Sequence, residues 1–472
     1  MSFLEEWLPR IADAVWGWGP DFLGGTSLMV ILLLGTGLVL TIVTGFVQVR
    51  KFGRASSLLL QGALKKDQSD EEEGDITPFQ ALMTALSATV GNGNIAGVAG
   101  AVGVGGPGAA FWMVVTAVFG MATKYAEAVL GIHFRKVNKD GSMAGGPMYY
   151  CEYGIKGVFG KTLGVMFAVC GTIACLVGTG NMFQTNSIAT ASYSQFGVPQ
   201  WVTGAIVTIL AGMVILGGVK RIAVVAEKLV PTMILLYFGA ALLILLWNIT
   251  GVPSAVALIV KAAFNPQAAL GGAVGFGIQQ AIQQGVRRGI LSNESGLGSA
   301  PIAHGAAKTK DPVRQGQIAM MGTFIDTIIV CSMTATVLTV TGVYKEGEAM
   351  GGSLRTIQLT TEAFNSGLPF PGGGTIVALA SLLFGFSTLL GWCYYGEQCL
   401  AYLMGIRSRM LFRVTFIVLM FVGSLPTEEG ISLVLKIGDI GNALMAIPNL
   451  FGLLILAGLV SRLTKQANSS ET

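Results

Sequence analysis

The chain has 472 residues, of which 52% are hydrophobic and only 11% charged, against about 25% charged in a soluble domain. With a mean hydropathy of +0.67 and a net charge of only +4, it cannot cover a water-soluble core of this size. Soluble globules, disordered chains, secreted disulfide scaffolds and nucleic-acid binders are therefore excluded. Uncharged runs recur from residue 26 to residue 461, which points to a polytopic helical membrane protein. The 66 glycines agree, because Gly is commoner in membrane helices than in soluble ones.

A membrane helix needs about 20 mostly apolar residues. In chain order, spans fall near 26–47, 77–104, 108–133, 160–195, 200–218, 224–250, 268–302, 314–342, 373–398, 405–424 and 430–461. The start, MSFLEEWLPR, is acidic and lacks the basic stretch of a signal peptide, so the first span serves as the insertion signal. The fourth run is long and carries Gly178 and Gly180 inside it. The seventh is long enough to begin with a surface helix. Eleven spans put the termini on opposite faces. With the N-terminus outside, the inner segments collect 21 Lys and Arg, and the outer segments carry only Arg10, Lys261, Lys345 and Arg355. This is the asymmetry that the positive-inside rule describes. The acidic run 67–75 then reads as a solvated inner linker. Cys151, Cys170, Cys175, Cys331, Cys393 and Cys399 show no metal-site or redox spacing and read as small apolar residues.

Two spans are badly made as helices. The second holds Val90-Gly91-Asn92-Gly93-Asn94, and the seventh holds Ser292-Asn293-Glu294-Ser295-Gly296. Gly and Asn are poor helix formers that tolerate unusual backbone angles. Unwound backbone at membrane depth survives only where it is buried in protein or lines a wet cavity. Two such breaks, one in each half of the chain, point to a transporter built from inverted repeats. The expected organisation is an outer N-terminal segment (1–25), an extra span (26–47), a cytoplasmic loop (48–76), a first repeat (77–250), a second repeat of opposite topology (251–463) and a cytoplasmic tail (464–472). A broken helix offers N–H groups at the start of its second half and carbonyls at the end of its first. The amides of Gly91, Asn92 and Gly93 suit a substrate carboxylate. The carbonyls of Ser87 and Val90 suit Na⁺.

Charges inside spans are rare and functional by default. Lys124 and Glu127, three apart, are placed to neutralise each other on one helix face. Arg287 and Arg288 precede the second break and are placed to pair with Glu294 or another carboxylate, in a gate. Asp326 and Asp439 are candidates for ion binding or proton relay. His133 and His304, at inner span ends, read as packing or solvated residues. The chain contains two histidines, no HExxH, no GxSxG and no phosphate loop, so it is not expected to be an enzyme.

The blocks TALSATVGNGNIAGVAGA, GGPGAAFWM, FGMATKYAEAVLG, MAGGPMYY, GNMFQTNS, SNESGLGSAPIAHGAAKT, LGWCYYGE and MAIPNL strongly resemble the bacterial and archaeal alanine/glycine:cation symporters. The resemblance runs from about residue 77 to 450 and implies an all-α leucine-transporter fold of five plus five inverted repeats with one extra N-terminal helix. It implies symport of alanine or glycine with Na⁺ across the cell (inner) membrane, with no cofactor and no transition metal. Proton coupling is the alternative. It places Asn92 and Gly93 at the substrate carboxylate and Gln184 against the substrate. Leu291 falls at a pocket-wall position where a relative has Phe, a departure that bears on alanine against glycine preference. Ser292 lies beside it, and Trp392 closes the pocket. Ser387 and Thr388 complete a sodium site with Ser87 and Val90. Other roles stay open for these side chains. Gln184 also suits an interhelical hydrogen bond, Trp392 plain packing, and Ser387 and Thr388 bonds to carbonyls of their own helix.

Overall fold

A bilayer offers no water to backbone amides and carbonyls, so apolar runs must satisfy them internally as helices. A computed structural model describes residues 27–64, 73–264, 278–345, 356–425 and 428–469, with Trp7, Arg10, Ile11, Val15 and Trp16. Most of segment 1–25, most of the acidic run 67–75, the start of the seventh span and the last three residues lie outside these.

Helix α1 is Leu28–Val43. Helix α2, Pro78–Thr89, ends where the first break begins; a wide π turn over Gly93–Gly97 then leads into α3, Val98–Gly105. Helix α4 is Gly108–His133. The expected fourth span is two helices, α5 (Val158–Val177) and α6 (Met182–Phe196). They part at Gly178, where a Cβ would lie 3.0 Å from the Gly438 Cα, so the interruption lets two backbones approach closely. Helices α7 (Gln200–Ile215) and α8 (Gly218–Trp247) follow. Helix α9, Ile278–Asn293, ends at the second break, and α10, Ala300–Gly305, resumes after it. Helices α11 (Pro312–Thr323) and α12 (Ser332–Thr341) are joined without interruption by a π-helical stretch, Phe324–Cys331. Helices α13 (Gly373–Met404), α14 (Ser408–Gly423) and α15 (Glu428–Ser469) complete the series.

Six of the described helical runs are long and apolar enough to cross a membrane, and four shorter apolar helices accompany them. The chain is thus a multi-pass membrane protein. The helices Val252–Phe264 and Thr356–Gly367 lie between expected spans; each is too short to cross alone.

On the expected inner face, the entry to α2 is made by Thr77. Its hydroxyl accepts from Gln80 N–H, and the Gln80 side chain accepts from Thr77 N–H, each at 3.1 Å, a reciprocal cap. Just before this cap the chain is fastened to the segment after α10. Ile76 and Ala307 form a parallel bridge. Asp75 N–H and Ile76 N–H donate to Ala306 C=O (2.9 and 3.3 Å), and Lys308 N–H donates to Ile76 C=O (2.7 Å). The Arg135 guanidinium donates to the carbonyls of Ala307 (2.6 Å), Thr309 (2.8 Å) and Glu73 (3.0 Å). Beside it, strands β1 (Lys136–Val137) and β2 (Met143–Ala144) form a small hairpin, with Lys136 opposite Ala144 and Val137 opposite Met143. Met143 N–H donates to the Asp75 carboxylate at 2.8 Å. Burial pushes the Asp75 carboxyl up from its usual range, and this hydrogen bond works against the shift.

Candidate functional site

The first break is organised by Asn94. In an unbroken helix Gly91 N–H would donate to Ser87 C=O. It donates instead to Asn94 Oδ1 at 2.9 Å, which releases the Ser87 carbonyl from the helical ladder. Gly91 was a candidate amide for a carboxylate, and here it differs from that expectation: a side chain three residues on already accepts its N–H. The Asn94 amide group reaches across to Asp326 Oδ1 (2.7 Å) and Asp326 C=O (3.2 Å). Asn92 Nδ2 donates to Gln184 Oε1 at 3.0 Å, while Asn92 Oδ1 is buried without a partner. Gln184 in turn donates to Thr179 C=O at 2.9 Å. It therefore makes the interhelical bond, and it also lines the cavity described below.

The second break is held by α4 and α15. Glu294 has a left-handed backbone, φ 56°, which is unusual for a residue with a side chain. Glu127 Oε1 accepts from Gly296 N–H (3.2 Å), Gly298 N–H (3.1 Å) and Asn449 Nδ2 (2.8 Å). Asn449 also donates to Gly296 C=O at 2.9 Å, and Tyr150 O–H donates to Asn449. Lys124 and Glu127, the expected pair, face one another without a direct hydrogen bond. Glu127 turns to the free amides of the break, and Lys124 Nζ is buried without a hydrogen-bond partner. Lys124 faces Glu294, Glu127 and Asp326 together.

Asp326 ties the two breaks together. Besides Asn94, it accepts from Ser292 Oγ (2.9 Å) and Thr327 Oγ1 (2.7 Å). Between the breaks lies a cavity of about 100 Å³, walled by Gly91, Asn92, Gly93, Gln184, Leu291, Ser292, Glu294, Thr388 and Trp392, with Arg288 and Asp439 also on its wall. All seven residues expected at the substrate meet here. Of the four expected around a cation, only Thr388 lines the cavity; Ser87, Val90 and Ser387 are fully buried. A Cβ on Gly91 would lie 2.5 Å from Thr388 Oγ1, and one on Gly391 would lie 2.7 Å from Ala88 Cβ, so α13 touches the first break at backbone distance. Ser387 and Thr388 both donate to Phe384 C=O at 2.9 Å. Their oxygens keep lone pairs for another partner.

Arg287 pairs with Asp439 at 2.5 Å and lies over the Trp16 ring, 5.4 Å from its centroid. Trp16 Nε1 donates to Asp439 C=O at 2.9 Å. Glu294 does not join this pair; it accepts from Ser299 Oγ. Asn94 and Asn449 were not singled out from the sequence. Both lie in the quoted blocks, and both are amides in apolar runs, the signal by which they are recognisable.

Trp392 is seated on Gly180, where a Cβ would lie 2.2 Å from the indole Cγ. Gly180→Ala is expected to push the indole into the cavity and raise the KM for a small substrate about tenfold, an effect of the size typical of overpacking. Uptake kinetics check this, and an unchanged KM would show that the indole does not bound the site.

The model of the sodium:alanine symporter family matches residues 3–471. The chain belongs to that family. A sodium/alanine symporter of Methanococcus maripaludis, AgcS, is 48% identical over 454 residues, covering 96% of this chain and 95% of that protein. A transporter of Haemophilus influenzae is also 48% identical, over 462 residues, covering 98% and 96%. Among solved structures, MhsT in complex with L-phenylalanine matches 84% of this chain and 99% of its own with a TM-score of 0.53 at 13% identity. That likeness carries the fold alone, a leucine-transporter-like one. As a member of the symporter family the chain is a transporter and not an enzyme.

Proposed function

We propose that the chain is a sodium-coupled symporter that carries alanine and glycine into the cell by alternating access. The observation that carries this reading is the small cavity between two interrupted helices, with the buried, unpartnered Asn92 Oδ1 in its wall. A cavity of about 100 Å³ suits a small substrate such as alanine or glycine. The substrate carboxylate meets the amide end at Asn92 and Gly93. Gln184, Leu291, Ser292 and Trp392 shape the wall. Na⁺ sits among the carbonyls of Ser87 and Val90 and the hydroxyls of Ser387 and Thr388. The release of the Ser87 carbonyl supports this, as does the contact of Thr388 with Gly91. The substrates in the name of the Methanococcus maripaludis relative support the pair of alanine and sodium.

On this reading eleven spans cross the inner membrane, N-terminus outside and C-terminus inside. The second and seventh are discontinuous, and residues 77–250 and 251–463 form inverted repeats. The Arg287–Asp439 pair closes the outer end of the path. No cofactor takes part. Proton coupling is the second reading, favoured by the Glu294 carboxyl in the cavity wall.

Uptake of labelled alanine and glycine into proteoliposomes tests the proposal, with an inward Na⁺ gradient and with choline in its place. Accumulation that needs Na⁺ is expected. Accumulation indifferent to Na⁺ overturns the cation assignment, and transport of neither amino acid overturns the substrate.

A further inference from the structure

Three carboxylates and one ammonium are buried together beneath the cavity, and they are not equally satisfied. Glu127 accepts from three donors, Gly296 N–H, Gly298 N–H and Asn449 Nδ2. Asp326 also accepts from three side-chain donors, those of Asn94, Ser292 and Thr327. Glu294 has two, the side chains of Ser299 and Trp392. Hydrogen bonds to a carboxylate favour its ionised form, so Glu294 is the one whose anion is least supported. It is also the one that lines the cavity. Two buried atoms of the cluster, Lys124 Nζ and Glu127 Oε2, have no partner, so no ion pair fixes where the charge rests.

The charges nearby can be counted. Lys124 and Glu127 come from α4, and Asp326 from the π-helical stretch. Arg288, on the helix that leads into the break, shares the cavity wall with Glu294. Tyr395 of α13 and Cys175 of α5 face Glu294 as neutral groups. His304 of α10 lies beside Lys124; its Nδ1 lies 2.7 Å from the Gln315 amide nitrogen, a donor, so the ring is neutral. Arg287 and Asp439 cancel. Two cations against three anions leave one negative charge, in a region too poorly solvated to hold it cheaply. One bound cation neutralises it.

We infer that Glu294 is a proton-binding site of the carrier, and that a proton on Glu294 and Na⁺ are alternative counter-charges that exclude one another. The proton reaches the carboxylate from water in the cavity, and the cluster becomes neutral without sodium. When Na⁺ enters, Glu294 returns the proton to that water. This inference rests on the sodium-symport reading proposed above and assigns a second, competing ligand to the same site.

The test is the Na⁺ concentration for half-maximal alanine uptake, measured in proteoliposomes over about three pH units around neutrality. The apparent Na⁺ affinity is expected to weaken as the pH falls, approaching about tenfold per unit below the titration of Glu294. Glu294→Gln holds the neutral form permanently. Alanine counterflow by this variant is expected to persist without Na⁺ and without pH dependence. Ser299→Ala removes one of the two donors to the carboxylate and is expected to move the pH effect to higher pH, which keeps the test informative should Glu294→Gln fail to fold. A wild-type Na⁺ affinity flat in pH overturns the inference, as does a Glu294→Gln variant with the wild-type pH slope or a Ser299→Ala variant with an unmoved midpoint. Absence of any alanine uptake by the wild type strikes the proposed function instead.

Discussion

Gly91→Ala is expected to lower alanine uptake by at least about tenfold. The added Cβ falls 2.5 Å from Thr388 Oγ1, in a place where neither partner is free to retreat. Gly91 N–H is fixed by Asn94 Oδ1, and the Thr388 hydroxyl is bonded to Phe384 C=O. Overpacking of this kind costs about 1–3 kcal/mol, and 1.4 kcal/mol is already a factor of ten. The double variant Gly91→Ala with Thr388→Ala separates packing from ion binding, because the Thr388 Cβ is 3.6 Å away and is no obstacle. It is expected to regain thermal stability in detergent without regaining Na⁺-dependent uptake. A single variant that transports at the wild-type rate contradicts the contact; a double variant with full sodium dependence removes Thr388 from the cation site.

Glu127→Ala is expected to cost more stability than any other single change described above. It strands the N–H groups of Gly296 and Gly298 and the amide of Asn449, and it takes one negative charge away from buried Lys124. Uncompensated buried charge is worth about 3–5 kcal/mol, so little monodisperse protein should survive extraction. Glu127→Gln removes the same charge but keeps an acceptor oxygen for these donors, so it should be more stable than the alanine variant by about 1–3 kcal/mol, the cost of leaving buried donors unsatisfied. Melting midpoints by fluorescence-detected size exclusion compare the two. Equal midpoints for the alanine variant and the wild type would mean that the second break is held by something else.

Both breaks were legible in the sequence, because Gly91–Asn94 and Ser292–Gly296 are poor helix material in runs otherwise fit to span. The residues that hold the breaks were not. Glu127 is 169 residues from Gly296, and Asn94 is 232 from Asp326; periodicity along one helix carries no information on such distances. Spacing suggested that Lys124 would neutralise Glu127, since i, i+3 side chains share a face. That rule describes helix surfaces in water, and inside the protein the unpaired amides of the second break compete for the same carboxylate. The parting of α5 from α6 was marked by Gly178 and Gly180, but its cause, the approach of Gly438, lies in another helix. The short helices Val252–Phe264 and Thr356–Gly367 went unread because a brief apolar stretch between spans looks like a loop.

On the proposed alternating-access cycle, the fastening between Ile76 and Ala307 bears on how well an empty carrier would hold a concentration gradient. Its polar part is made of backbone amides and carbonyls and a single guanidinium, each bond worth about 0.5–1.5 kcal/mol net, beside the buried side chains of Ile76, Ala306 and Ala307. Its six hydrogen bonds sum to several kcal/mol, so parting is rare without ligand yet within reach of thermal motion. With this face toward the cell interior, as proposed, water replaces each bond as it breaks, which keeps the parted form from being prohibitive. Under alternating access, slippage of the unloaded carrier is therefore set by Arg135 and a few peptide groups. Three of the six bonds run backbone to backbone, so Arg135 is the one side chain among them whose loss is expected to loosen the fastening.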